Sequence, residues 1–147
     1  MPANQRPVFA LVPKTPVVNI DTANTSYANV ASPADSGSFR QLYQCSIADG
    51  AKCTLISYQF IATTGTPTPS AGVFNIWLTD TSNANARIIR SIAFAAGSAM
   101  STTVPGPYNE IVINDLQLQS GQRLYVSVTT LAANSTLNVR ASIGEFS

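Results

Sequence analysis

The sequence predicts an all-β protein, a jelly-roll-like antiparallel β-sandwich of about eight strands carrying an extended N-terminal arm. Three observations lead there. Short runs alternate apolar and polar residues with a period of two. Clusters of Pro, Gly, Asn, Asp and Ser punctuate the chain between those runs. No stretch sustains a helical apolar repeat between capping residues. With no helices to cover a sheet, strands in this number bury their apolar faces by closing into a sandwich or barrel.

Residues 1–16 form the arm. Pro2, Pro7, Pro13 and Pro16 deny it a helix and make it a poor central strand, because each lacks a backbone donor. Its apolar run Val8-Phe9-Ala10-Leu11-Val12 allows two outcomes. The arm lies as an edge strand on its own domain, or it docks on a neighbouring subunit by adding a strand to an exposed edge. Residues 17–147 make a single domain.

Strands are predicted at 17–21, 39–47, 53–62, 72–79, 87–95, 109–118, 122–130 and 136–143. Ile56, Tyr58 and Phe60 share one face, with Leu55, Ser57 and Gln59 opposite. Leu124, Val126 and Val128 alternate with Tyr125, Ser127 and Thr129. Leu137, Val139, Ala141 and Ile143 alternate with Asn138, Arg140 and Ser142. Period-two patterning of this kind marks half-buried antiparallel strands. Residues 79–86 read as a hairpin loop, residues 119–122 close another hairpin, and 97–107 form a long mobile connection.

Composition narrows the function. None of the 147 residues is histidine, the usual proton shuttle near neutral pH and the commonest metal ligand. Charged residues make up 10% of the chain, against ~25% in typical soluble domains. A net charge of +1 with no clustered Lys or Arg gives no reason to bind nucleic acid. No apolar run approaches the ~20 residues needed to span a bilayer, and residues 1–7 lack signal-peptide character. Synthesis in a reducing cytosol is therefore expected.

The acids Asp21, Asp35, Asp49, Asp80, Glu110, Asp115 and Glu145 show no pair placed as glycoside hydrolysis requires. Neither a Gly-rich phosphate loop nor a calcium loop is present. No catalytic, metal-binding or cofactor-binding residue is expected, no cofactor, and no small-molecule substrate. The chain reads as something that binds or builds.

Cys45 and Cys53 flank Ala48-Asp49-Gly50-Ala51, a hairpin turn signal. A two-residue turn puts the sulfurs on opposite faces, whereas a three-residue loop with Gly50 in a bulge puts Cys45 opposite Cys53. Only the second register allows a bridge, and a reducing cytosol favours free thiols. Trp77 lies opposite Phe74, Ile76 and Leu78, so it fills the rim of the core or stacks on a sugar or a neighbouring subunit. Tyr43 and Tyr125 share that ambiguity. Arg87 and Arg90, three apart, point to opposite faces of a regular strand; they and the mid-strand Arg40 and Arg140 are solvent-facing or form interface salt bridges.

Several segments together carry a resemblance. They are Thr22-Ala23-Asn24-Thr25, Ala48-Asp49-Gly50-Ala51, Ala62-Thr63-Thr64-Gly65-Thr66, Ala71-Gly72-Val73-Phe74 and Trp77-Leu78-Thr79-Asp80, then Leu116 through Leu124 and Ile143-Gly144-Glu145-Phe146. Over residues 17–147 this order resembles small all-β structural proteins of tailed bacteriophages, in particular the head-decoration (cement) proteins. The two cysteines depart from that pattern. The resemblance implies a virion protein on the outer surface of the capsid, made in the bacterial cytoplasm. Its partners would be the major capsid protein and its own copies in a homotrimer. Arg6, Phe9, Leu11, Arg40, Trp77, Arg87 and Arg90 are the expected contacts. The alternative is a carbohydrate-binding or adaptor module of a phage tail or fibre, with Trp77, Tyr43 and Tyr125 on one exposed patch.

Overall fold

The computed structural model describes residues 11–146. Nine strands run through them: β1 (Leu11–Lys14), β2 (Val17–Ile20), β3 (Arg40–Gln44), β4 (Ala51–Ala62), β5 (Gly72–Leu78), β6 (Arg87–Phe94), β7 (Tyr108–Leu118), β8 (Arg123–Val128) and β9 (Ser135–Phe146). Among the described residues there is no helix. Each strand predicted from the alternation has a counterpart within a few residues.

The strands form two antiparallel sheets, ordered β1/β2-β9-β4-β7 and β3-β8-β5-β6. Chain order alternates between these sheets almost throughout, which is the jelly roll. β1 and β2 keep one register along β9, from Leu11↔Phe146 to Ile20↔Leu137, and so act as a single edge strand interrupted at Thr15–Pro16. Pro16 still accepts from the Ala141 N–H at 3.1 Å. Pro16 cannot return this bond, a loss of one ladder bond that an edge tolerates, whereas Pro13 turns its missing donor away from the ladder. The described part of the arm therefore lies on its own domain.

The alternation becomes packing as expected. Ile56, Tyr58 and Phe60 of β4, Phe74 and Ile76 of β5, Leu124, Val126 and Val128 of β8, and Leu137, Val139, Ala141 and Ile143 of β9 are buried between the sheets. Tyr58 packs on Phe74 with ring centroids 4.7 Å apart, and Phe60 meets Phe94 edge-on at 5.2 Å.

Two expected hairpins are not hairpins. β3 pairs with β8 while β4 pairs with β7 and β9, so residues 45–50 cross from one sheet to the other. Gly50, at φ 87°, makes the reversal, and its N–H donates to Ile47 O. Cys45 and Cys53 thus belong to opposite layers, both buried and both free thiols, and neither hairpin register applies. Residues 119–122 likewise join β7 to β8 across the sandwich. The connection at 97–107 is tethered: Gly97 and Met100 donate to Pro69 and Pro67 carbonyls, Gly106 donates to Phe60, and Met100 is buried.

Residues 21–39 cover the outer face of the β3-β8-β5-β6 sheet. Asn24 N–H donates to Val128 O at 2.8 Å, and Val30 bridges Ala86. Phe39 stacks on Tyr125 at 4.6 Å and meets the Trp77 ring edge-on at 5.2 Å. This makes a second small core of Phe39, Trp77, Ala86 and Tyr125 outside the sandwich. The opposite outer face, on β1/β2-β9-β4-β7, has no such cover among the described residues.

Candidate functional site

The expected contact residues do not converge. Arg6 and Phe9 lie outside the described residues. Leu11 is exposed on β1, its side chain against Gly144. Arg40 pairs with Asp35 at 3.1 Å, which ties β3 to the covering segment. Trp77 is a correction: it is fully buried under Phe39 and donates its Nε1–H to Ser127 Oγ at 2.9 Å, so it offers no surface to a partner.

Arg87 and Arg90 are a second correction. The register shifts between Ile76↔Arg90 and Trp77↔Ile88, leaving Ile89 as the extra residue of a bulge. Arg87 opposes Leu78 and Arg90 opposes Ile76, so the bulge brings both arginines to the same side of β6. Arg90 then reaches across the open side of the sandwich and donates to Val112 O at 3.1 Å.

Nor do the three aromatics build a platform. Tyr125 is buried beside Trp77, and Tyr43 points inward to donate to Glu145 Oε1 at 2.8 Å. Burial and then that carboxylate push the Tyr43 phenol well above its ordinary range. The carboxylates mostly serve structure. Glu145 also faces Lys14 at 3.8 Å, Asp21 accepts from Thr136, and Glu110 accepts from Tyr108. Asp80 accepts from the N–H groups of Ala84 and Ser82, the Ser82 hydroxyl and the Asn85 amide, and these bonds hold its carboxyl down at about 2. Burial raises both thiols, Cys53 to about 11, which keeps them protonated and unreactive.

What the fold leaves available is the uncovered sheet face. Side chains directly opposite across paired strands share a face. One row therefore runs Glu110–Ser57–Arg140–Val17 over β7, β4, β9 and β2. The row on one side is Val112–Leu55–Ser142, and the next on the other is Tyr108–Gln59–Asn138–Asn19. Apolar side chains stand out from this face: Val112 is 61% exposed, Tyr108 56%, Val17 50% and Ile61 40%. Two shallow hollows flank Ser57 and Arg140. One of about 180 Å³ lies beside Tyr108, Gln59 and Asn138, and one of about 280 Å³ beside Thr15, Val17, Leu55 and Ser142. Neither Glu110 nor Arg140 forms an ion pair among the described residues. The alternation of β4 and β9 gave this face its polar members, but only the sheet order shows that β7 supplies its apolar ridge.

A second concavity, about 600 Å³, opens at one end of the sandwich, where residues 48–50, Thr81, the 117–122 turn and Phe146 meet. Its polar lining comes from Asp49, Gln117, Gln119, Ser120 and Gln122.

No protein-family model matches the chain, and no curated protein does. Similar folds occur among solved structures, at low identity. The GH26-CBM35 β-(1,4)-mannanase of Podospora anserina matches over 90% of this chain, at 13% identity and a TM-score of 0.39, and this chain spans 28% of its length. The Tobacco streak virus coat protein matches over 89% of this chain and 87% of its own, at 10% identity and a TM-score of 0.33. The Eiger TNF of S. frugiperda matches over 89% and 92%, at 11% identity and a TM-score of 0.36.

Proposed function

We propose that this chain is a structural protein of a phage virion, a decoration or cement protein that binds the outside of the head shell and stabilises it. It acts by adhesion, without turnover. The observation that carries this reading is the contrast between the sheet faces: one covered by the chain's own residues 21–39, the other open and weakly charged, with Val17, Ile61, Tyr108 and Val112 standing out among polar side chains. A patch of that kind on a stable body marks an interaction surface. Among the described residues Asp21, Asp35, Asp80 and Glu145 are engaged in hydrogen bonds or ion pairs that hold the fold, which leaves little for acid–base chemistry. The segment-by-segment resemblance to cement proteins supplies the partner, the major capsid protein, with further copies of the chain beside it. Weak contacts repeated over a lattice then become strong together.

The test is to add the purified protein to heads that lack it and to measure occupancy and the temperature at which shells break. Saturable binding with a raised disruption temperature is expected; recovery with tails, or no binding, overturns the reading. Removing residues 1–16 should abolish attachment and spare folding, because all of β1 is exposed and none of its residues belongs to the core. Unchanged occupancy removes the arm from the mechanism.

The end groove favours a second reading, a carbohydrate-binding module. Three glutamine amides, Asp49 and the Phe146 ring are groups that bind and stack on sugars. Chemical-shift changes at Gln119 and Gln122 on titration with glycans would support it.

A further inference from the structure

We propose that the uncovered β2-β9-β4-β7 face is where two copies of this chain meet, related by a two-fold axis running along β4 over Ser57. A second copy on this face leaves attachment to the shell to residues 1–16, and the deletion described above tests that contact separately.

Glu110, Ser57 and Arg140 stand in one row across β7, β4 and β9. Neighbouring strands lie about 4.8 Å apart, so the acid and the base flank Ser57 at equal distance, on opposite sides. Rotating a second copy about an axis along β4 exchanges the two sides. Each Glu110 then lies over the other copy's Arg140, and one contact appears twice, as an isologous interface requires. The adjacent row obeys the same operation. Val112, the most exposed large apolar residue of the face, comes over Ser142 of the second copy. There it meets the hollow of about 280 Å³ walled by Thr15, Val17 and Leu55. Leu55 and Ile61 of β4 fall on the axis and meet their own counterparts. Charge, ridge and hollow are thus all self-complementary under one rotation.

The overlap is narrow. Under this rotation β7, β4 and β9 of one copy lie over β9, β4 and β7 of the other, while each β2 overhangs. Three strands give roughly 14 Å of width, and twist limits contact to about 30 Å of length, or roughly 430 Å² per copy. The total of about 860 Å² is below that of stable specific interfaces, which implies a weak, reversible dimer.

The test is sedimentation velocity on the full chain from about 1 to 200 µM, a range that brackets a micromolar equilibrium. The wild type should pass from monomer to dimer. Glu110→Arg alone and Arg140→Glu alone should each weaken association at least about tenfold, since each brings like charges together twice. The doubly reversed chain should recover to within about threefold of wild type, and so should an equimolar mixture of the two single variants. Both residues are exposed, so the variants keep the fold, which circular dichroism checks. Arg87→Glu, on the other sheet, should leave association unchanged. A monomer at every concentration, a trimer indifferent to these changes, or a double variant no better than the singles overturns the proposal.

Discussion

Phe39 is the residue on which the sealed face depends, and Phe39→Ala should open it. The ring is buried, stacks on Tyr125 at 4.6 Å and meets the Trp77 ring at 5.2 Å. Deleting a buried phenylalanine costs about 3–5 kcal/mol, and the aromatic contacts account for about 0.5–1.5 kcal/mol each beyond area. The segment is a surface cover that can partly settle into the gap, so the lower figure applies, about 3 kcal/mol. With a urea m-value near 2 kcal/mol/M, the midpoint should fall by about 1.5 M. The assay carries its own reporter, because Trp77 is the only tryptophan in the sequence. Its emission should be blue in the wild type and shift to the red in Phe39→Ala before the main unfolding transition. An unchanged emission together with a stability loss under about 1 kcal/mol would refute the idea that residues 21–39 are an integral layer.

Three further outcomes follow from named contacts. The Asp80 carboxyl, held at about 2 against an unfolded value of 3.8, stabilises the fold above the unfolded value and loses that contribution as pH falls from about 4 toward 2. Thermal midpoints of the wild type should therefore drop across that window, and Asp80→Ala should start lower at pH 6 and drop less. Gly121 sits at φ 91° with the Thr81 carbonyl where a Cβ would go, so Gly121→Ala should cost about 2 kcal/mol or more in denaturant unfolding. Cys45 and Cys53 should both be silent to a thiol reagent at pH 8 in the native protein and both react in urea, since burial raises each pKa.

The alternation in Ile56-Ser57-Tyr58-Gln59-Phe60 and in Leu137 through Ile143 shows strand, face and core together, because the period of two is a local property of each segment. Which strands pair is not local. Asp49-Gly50 and Ser120-Gly121 announce reversals of direction, and a reversal within one sheet has the same turn chemistry as a crossing between two. The bulge at Ile88–Ile89 is silent for a related reason: an inserted residue is visible only against the partner strand, and it turned Arg87 and Arg90 to one side. Residues 21–39 hid their role because cover requires no periodicity. Their signal is thin: Val30 and Phe39 stand among Ser, Ala, Asn and Asp, and both dock on the sheet. Trp77 could be placed on the outer face from sequence, but its burial depended on a ring 38 positions away in the chain.

How such a sheet associates depends on its edges as much as on its face. An open edge strand presents unpaired N–H and C=O groups and recruits other strands. Here both edges of the uncovered sheet are blunted. On one side Pro13 removes an outward-facing donor from the β1/β2 edge. On the other, Arg90 spends its guanidinium on Val112 O, a carbonyl of the β7 edge. Strand addition is therefore disfavoured on both sides, and the face remains as the route to a partner. Its composition suits that route. Ser57, Gln59, Asn138 and Arg140 keep the centre soluble, while Val17, Ile61, Tyr108 and Val112 supply apolar area around them. A face meant for permanent burial looks different, as Trp77, Tyr125, Ser127 and Asn75 under residues 21–39 demonstrate. The open face has instead the mixed character of a surface that exists free before it is covered. Arg90→Ala separates the two routes: it frees the β7 edge without touching the face, so it should add slow, higher-order aggregation to an unchanged monomer–dimer equilibrium. If the dimer itself strengthens in that variant, the edge and not the face is the contact.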